Sequence, residues 1–136
     1  MKALVTRVVL GLAGALLLYI GSAILIDPVS FAAGNGIALP ESASLMSEVR
    51  APAGLLVASA VLIIVSALRA RRMTLALALS ALVYGSYGLS RVVGILLDGF
   101  PSTPLTQAMV IELVIGAVSL GALMALAGQS KTPERR

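Results

Sequence analysis

Apolar residues gather into four long segments along this chain, separated by short polar breaks and one long one. A helix rises 1.5 Å per residue, so about 20 apolar residues cross the roughly 30 Å hydrocarbon layer of a bilayer. The first segment runs from Val8 to Ile26 and stops at Asp27-Pro28, and the second runs from Ala51 to Leu68 and ends in Arg69, Arg71 and Arg72. The third runs from Met73 to Leu97 and is interrupted by Arg91; the fourth runs from near Leu105 to Gly128 and is interrupted by Glu112. The pattern predicts an all-α fold, a four-transmembrane-helix up-down bundle. It forms one domain over 1–136, with helices over about 4–26, 48–69, 72–97 and 104–128 and a basic tail over 129–136.

The breaks refine this picture. Two connections are short, which makes consecutive helices antiparallel neighbours. The connection from Asp27 to Arg50 is long, and its Pro28-Val29-Ser30-Phe31-Ala32-Ala33 stretch, broken by Gly34-Asn35-Gly36, suits a short interfacial turn of helix. The second helix has two candidate starts: Pro40 and Ser42 open it early and place Pro52 inside it as a kink, or Ser47 caps it and Pro52 lies in its first turn. The first segment, flanked by Lys2 and Arg7 and carrying Gly21-Ser22-Ala23, imitates a secretory signal, but its about 19 apolar residues exceed the usual 7 to 15, and it reads as a retained anchor. Gly11, Gly14, Gly21, Gly54, Ala58, Gly85, Gly88 and Gly116 are candidates for close helix contact.

Composition agrees with a membrane chain: 59% of the 136 residues are hydrophobic, 12% are charged, and the mean hydropathy is +1.04. Lys2, Arg7, Arg69, Arg71, Arg72, Lys131, Arg135 and Arg136 all fall on one side of a four-pass layout, which the positive-inside rule makes the cytoplasm, so both termini are expected there. Asp27, Glu41, Glu48 and Asp98 fall on the other side, with Arg50 the one basic residue at that boundary. The net charge of +4 is thus read as topology and anionic lipid contact rather than nucleic-acid binding. With no Cys and no His, the chain has no disulfide, thiol nucleophile, histidine-ligated haem or zinc site of the usual kind, and no Ser-His-Asp triad. No cofactor or metal and no catalytic residue set is expected.

The interruptions carry the candidate chemistry. Arg91 lies seven residues before Asp98, about 10 Å below the end of its helix, and Glu112 lies about 12 Å inside the start of the next, antiparallel helix. The two are at one depth. A lone charge there costs roughly 2.5 to 3.5 kcal/mol, so an Arg91–Glu112 ion pair facing the bundle interior is expected. At 100° per residue Tyr84, Tyr87, Arg91 and Asp98 share one stripe, and Glu112, Gly116 and Ser119 another. Glu48 and Arg50 enter at the mouth of the same half, though two residues apart they cannot both face inward. These residues predict a polar pocket opening outward above a dry, aliphatic inner half.

The elements Glu48-Val49-Arg50-Ala51-Pro52-Ala53-Gly54, Gly88-Leu89-Ser90-Arg91, Leu97-Asp98-Gly99 and Glu112-Leu113, with the Asp27-Pro28 stop, give the chain a further feature. It resembles a family of small bacterial four-helix membrane proteins catalogued as a domain of unknown function. The likeness covers nearly the whole chain, departing where Pro52-Ala53-Gly54 replaces a glycine pair. It implies the fold and a bacterial inner (cytoplasmic) membrane, and no activity. The reading that follows is a non-enzymatic binding or accessory protein. Its ligand-binding residues are Arg91, Glu112, Tyr84, Tyr87, Glu48, Arg50 and Asp98, and they accept a membrane lipid, a hydrophobic small molecule, or a membrane-protein partner or second copy. The alternatives are a small proton- or ion-coupled transporter in which Glu112 titrates, and a structural subunit. An enzyme using Glu112 with Tyr84 or Tyr87 has least support.

Overall fold

Lipid offers no hydrogen-bond partners, so a spanning chain pairs its backbone within helices. The computed structural model, which describes residues 2–129, follows that rule. Its helices are α1 (Lys2–Ile26), α2 (Pro28–Gly34), α3 (Ala43–Ala67), α4 (Met73–Asp98) and α5 (Thr103–Gln129), with a 3-10 turn at Ala70–Arg72. Helices α1, α3, α4 and α5 are each long and apolar enough to cross a membrane, and the chain is a multi-pass membrane protein. Leu12, Leu55 and Leu82 are among many large side chains left uncovered by protein, as lipid-facing positions are. The basic tail expected over 129–136 lies, beyond Gln129, outside the described residues.

Capping settles the second spanning helix. The Ser42 hydroxyl accepts a hydrogen bond from the Leu45 amide at 3.2 Å, so α3 begins at Ala43, ahead of the start at 48, and Pro52 lies inside it. Pro52 has no N–H, which leaves the Glu48 carbonyl without its intrahelical donor. The turn expected after Asp27 is α2. Asp27 caps it through a 3.0 Å bond from the Ser30 amide, and Pro28 occupies the first turn, where a missing N–H costs nothing. Bonds from the Ser30 hydroxyl and then its amide hold the Asp27 carboxyl below the usual carboxylate range. A lowered folded value means the cap acts fully above the unfolded value near 3.9 and is lost as the pH falls through the folded one. Hydrogen exchange at the Ser30 and Phe31 amides, corrected for intrinsic rate, is therefore expected to lose protection below about pH 4, and Asp27→Asn to remove that dependence.

Packing runs in sequence order: α1 on α3, α3 on α4 and α4 on α5. The buried positions of α3, Ala53, Leu56, Ala60, Ile63 and Ala67, recur at three- and four-residue steps, the spacing of helices crossing at a shallow angle. The last four of these share one buried cluster with Leu10, Ala13 and Leu17 of α1 and Ala76, Leu77 and Tyr84 of α4. Between apolar helices in lipid the attraction is van der Waals contact, so close approach matters most. Gly14 and Gly21 provide it on the α1–α3 seam, where an added Cβ would lie 3.3 Å from the Ala60 carbonyl oxygen and 3.1 Å from that of Ala53. Gly88 and Gly116 do the same between α4 and α5, whereas Gly11 and Gly54 face open space.

The up-down course gives the bundle two unlike ends. Arg69, Arg71 and Arg72 mark the basic end, at the α3–α4 turn. The opposite end carries α2, the loop after it and the α4–α5 connection, and these are tied together: the Ser102 hydroxyl donates to the Asn35 carbonyl at 2.6 Å. The half nearer the basic end is not wholly aliphatic, contrary to expectation. Ser59, Ser66, Ser80 and Ser119 are buried, and the Ser80 and Ser119 hydroxyls lie 2.8 Å apart between α4 and α5. A serine can hide its polar atom against a neighbouring helix, so depth alone does not exclude it.

Candidate functional site

Two glycines determine how closely α4 and α5 approach. Beside Gly116 the nearest atoms to an added Cβ are the Gly85 amide nitrogen at 2.8 Å and Cα at 3.0 Å, and beside Gly88 the Leu113 backbone nitrogen lies at 3.0 Å. Arg91 is three residues from Gly88 and Glu112 four from Gly116, so the two charged groups leave the helices one turn from these contacts. At that separation they meet: Arg91 Nε donates to Glu112 Oε2 at 2.8 Å, with side-chain exposures of 30% and 13%. The ion pair expected from depth is formed. It is engaged through Nε, whereas a full fork would use two nitrogens and both carboxylate oxygens. The pair therefore keeps hydrogen-bonding capacity on both partners.

Beside this pair the bundle is open. Helices α1 and α5, first and last of the spanning set, make no extended contact, and a cavity of about 670 Å³ occupies the space between them. Leu16 and Ile20 of α1, Pro52 and Leu56 of α3, and Ala108 and Ile111 of α5 supply much of its apolar wall. Phe31, Ala32 and Asn35 cover it at the α2 end. Tyr19 of α1, 69% exposed, and Ile111 of α5, 47% exposed, belong both to this lining and to the outer surface, so the opening is lateral, toward lipid.

Five of the seven residues singled out from the sequence line this space: Arg91, Glu112, Tyr84, Tyr87 and Glu48. Tyr84 and Tyr87 lie within electrostatic reach of Glu112. The Tyr84 hydroxyl, however, does not serve the ion pair; it donates to the Ala13 carbonyl of α1 and so fastens α4 to α1. The other two do not line the cavity. Asp98 shares the Arg91 stripe but is the last residue of α4 and exposed, beyond the cavity's reach. Arg50 donates from Nε to the Leu25 carbonyl at 3.0 Å, where a cation meets the negative end of α1. Of the Glu48/Arg50 pair only Glu48 borders the cavity, at an exposed position on its rim, and the two do not both face inward, as their two-residue spacing requires.

Tyr19, Phe31 and Asn35 are lining residues that sequence reasoning did not select. Tyr19 carried a usable signal, since a phenol two turns inside an apolar helix needs a polar environment at one end. Among the described residues no group of three or more carboxylates is placed to hold a metal ion. The arrangement is an apolar chamber with an ion pair joined by one contact, a second carboxylate at its exposed rim, and the Tyr19 and Tyr87 phenols on its wall.

No curated protein and no solved structure matches the chain. One family model does, over residues 5–123, from the first turns of α1 through most of α5, and that span takes in every residue of the site. The chain belongs to the family described as Domain of unknown function (DUF4345).

Proposed function

We propose that the protein is a non-enzymatic binding or accessory protein that holds an amphipathic molecule, a lipid or a hydrophobic small molecule, in the cavity between α1 and α5. The observation that carries this reading is the conjunction of a 670 Å³ apolar chamber with an ion pair engaged through a single contact. Chambers of that size take drug-sized molecules, and a few polar groups on an apolar wall orient them. The apolar part of the guest lies against Leu16, Ile20, Leu56 and Ala108, and its polar part reaches Arg91, Glu112, Tyr87 and Glu48. The excess of arginine at one end supports a cytoplasmic placement of that end, and the α2 end then faces outward. The family resemblance supports a bacterial inner membrane.

Native mass spectrometry from mild detergent tests the reading. Wild-type protein is expected to carry a reproducible added mass of a few hundred daltons. Ala108→Trp, which narrows the chamber while leaving every charged residue of its lining in place, is expected to lose it. Folded wild-type protein with no added mass, or an Ala108→Trp protein with the same one, would count against the proposal. A second reading is favoured by α5, which is the least covered of the spanning helices. A helix of a second chain could be what lies along the α1–α5 opening, and in that case the spectrum shows masses at multiples of the protomer or with a fixed partner.

A further inference from the structure

Four of the chain's five aromatic residues meet at one cavity. The chain has three tyrosines and two phenylalanines; Tyr19, Phe31, Tyr84 and Tyr87 line the space between α1 and α5, and Phe100 does not. The face of an aromatic ring is the negative end of its quadrupole and attracts a cation within about 6 Å. The charged side chains of the lining add the same sign. They are Glu48, Arg91 and Glu112, two carboxylates against one guanidinium, and the guanidinium is already committed to Glu112 at 2.8 Å.

The charge left over is that of Glu48. It has no ion-pair partner among the described residues, and it is an exposed residue at the rim of the chamber. An anion entering the chamber would meet a net negative lining, since Arg91 keeps free N–H groups but its charge is balanced by Glu112, and Glu48 is left over at the rim. A cation is attracted by the same lining, at the exposed rim through Glu48 and deeper in the chamber through the aromatic side chains, where the apolar wall lowers the dielectric. The wall also selects against small, strongly hydrated ions, because it is mostly apolar and its scattered oxygens do not form a shell to replace their water.

Building on the reading of this cavity as a binding site, we infer that its ligand is a lipophilic organic cation, an amine or onium group bearing apolar substituents. Glu48 and the aromatic rings hold the charge, and the aliphatic walls of α1, α3 and α5 hold the substituents. Arg91, paired with Glu112, keeps the site's net charge at one negative unit rather than two, which admits a monovalent cation without favouring a divalent one.

Three probes of similar shape separate the possibilities: tetraphenylphosphonium, tetraphenylborate and the uncharged triphenylphosphine oxide. Each is titrated calorimetrically into the full chain in an uncharged detergent and corrected for its partition into protein-free micelles. The phosphonium is expected to bind at least about tenfold more tightly than the borate, and Glu48→Gln to lower that ratio about tenfold. Equal affinities for phosphonium and borate, or a preference for the borate, would overturn the cation inference while leaving the cavity a binding site. If protein with its native helical circular dichroism binds none of the three, the binding reading fails with it.

Discussion

Replacing Glu112 by alanine is expected to destabilise the bundle by about 3 kcal/mol. The reason lies in what is left behind. Arg91 sits about 10 Å inside α4, and its guanidinium would lose its carboxylate while remaining beside apolar side chains. The double substitution Arg91→Leu/Glu112→Leu is expected to recover most of the loss, because removing both charges removes both desolvation costs. Unfolding by titration with sodium dodecyl sulfate, followed by circular dichroism, reads both effects. A double variant as unstable as the single one would show that the pair is not the origin of the effect. The recovered double variant also separates two roles: an added mass that survives in it assigns the pair to packing, and a lost one assigns it to the guest.

Gly116→Leu is expected to be as damaging for a different reason. Its new Cβ would lie 2.8 Å from the Gly85 nitrogen and 3.0 Å from the Gly85 Cα, and backbone atoms cannot swing aside as a side chain can. Helices α4 and α5 must separate, at a cost at the upper end of overpacking penalties, about 3 kcal/mol. Glu112 is one turn away, so the same movement stretches the ion pair, and the variant should also take on the character of Glu112→Ala. Gly121→Leu is the control on the same helix, since nothing lies within 4 Å of its added Cβ and its stability should stay within about 0.5 kcal/mol of wild type. Equal stability of the two variants in the same titration would overturn the close-contact argument.

These two expectations differ in how readily the sequence reveals them. The Arg91–Glu112 pair is legible because charge in lipid is costly and depth can be counted along a helix, so two opposite charges at one level on adjacent helices have one economical solution. The four spans and the boundary at Asp27-Pro28 are legible for the same reason: length and hydropathy act locally. Gly116 was identifiable as a small residue, but so were Gly11 and Gly54, which touch nothing. Which glycine is a contact depends on the rotation of each helix about its axis, and no local property specifies that.

The misplaced residues have equally physical explanations. Periodicity put Asp98 on the Arg91 stripe, and it does share the azimuth; it fails by height, lying at the exposed end of α4. Arg50 was placed at the mouth because α3 begins nearby, but its partner is a backbone carbonyl of α1, and a helix end carries no sequence label announcing that it needs a cation. Tyr84 was placed correctly at the cavity, while its bond to the Ala13 carbonyl depends on α4 passing close to α1, a fact of helix arrangement rather than of order along the chain. The same holds for the Ser80–Ser119 contact.

The gap between α1 and α5 has a bearing on how the chamber communicates with its surroundings. Because its rim is made of Tyr19 and Ile111 on the lipid-facing surface, a guest of the kind proposed would reach it by moving in the plane of the membrane. Its effective concentration is then its mole fraction among the lipids. For a strongly partitioning compound that quantity is set by the area of membrane present. Dilution of the surrounding water would barely change occupancy, whereas adding empty vesicles would drain it.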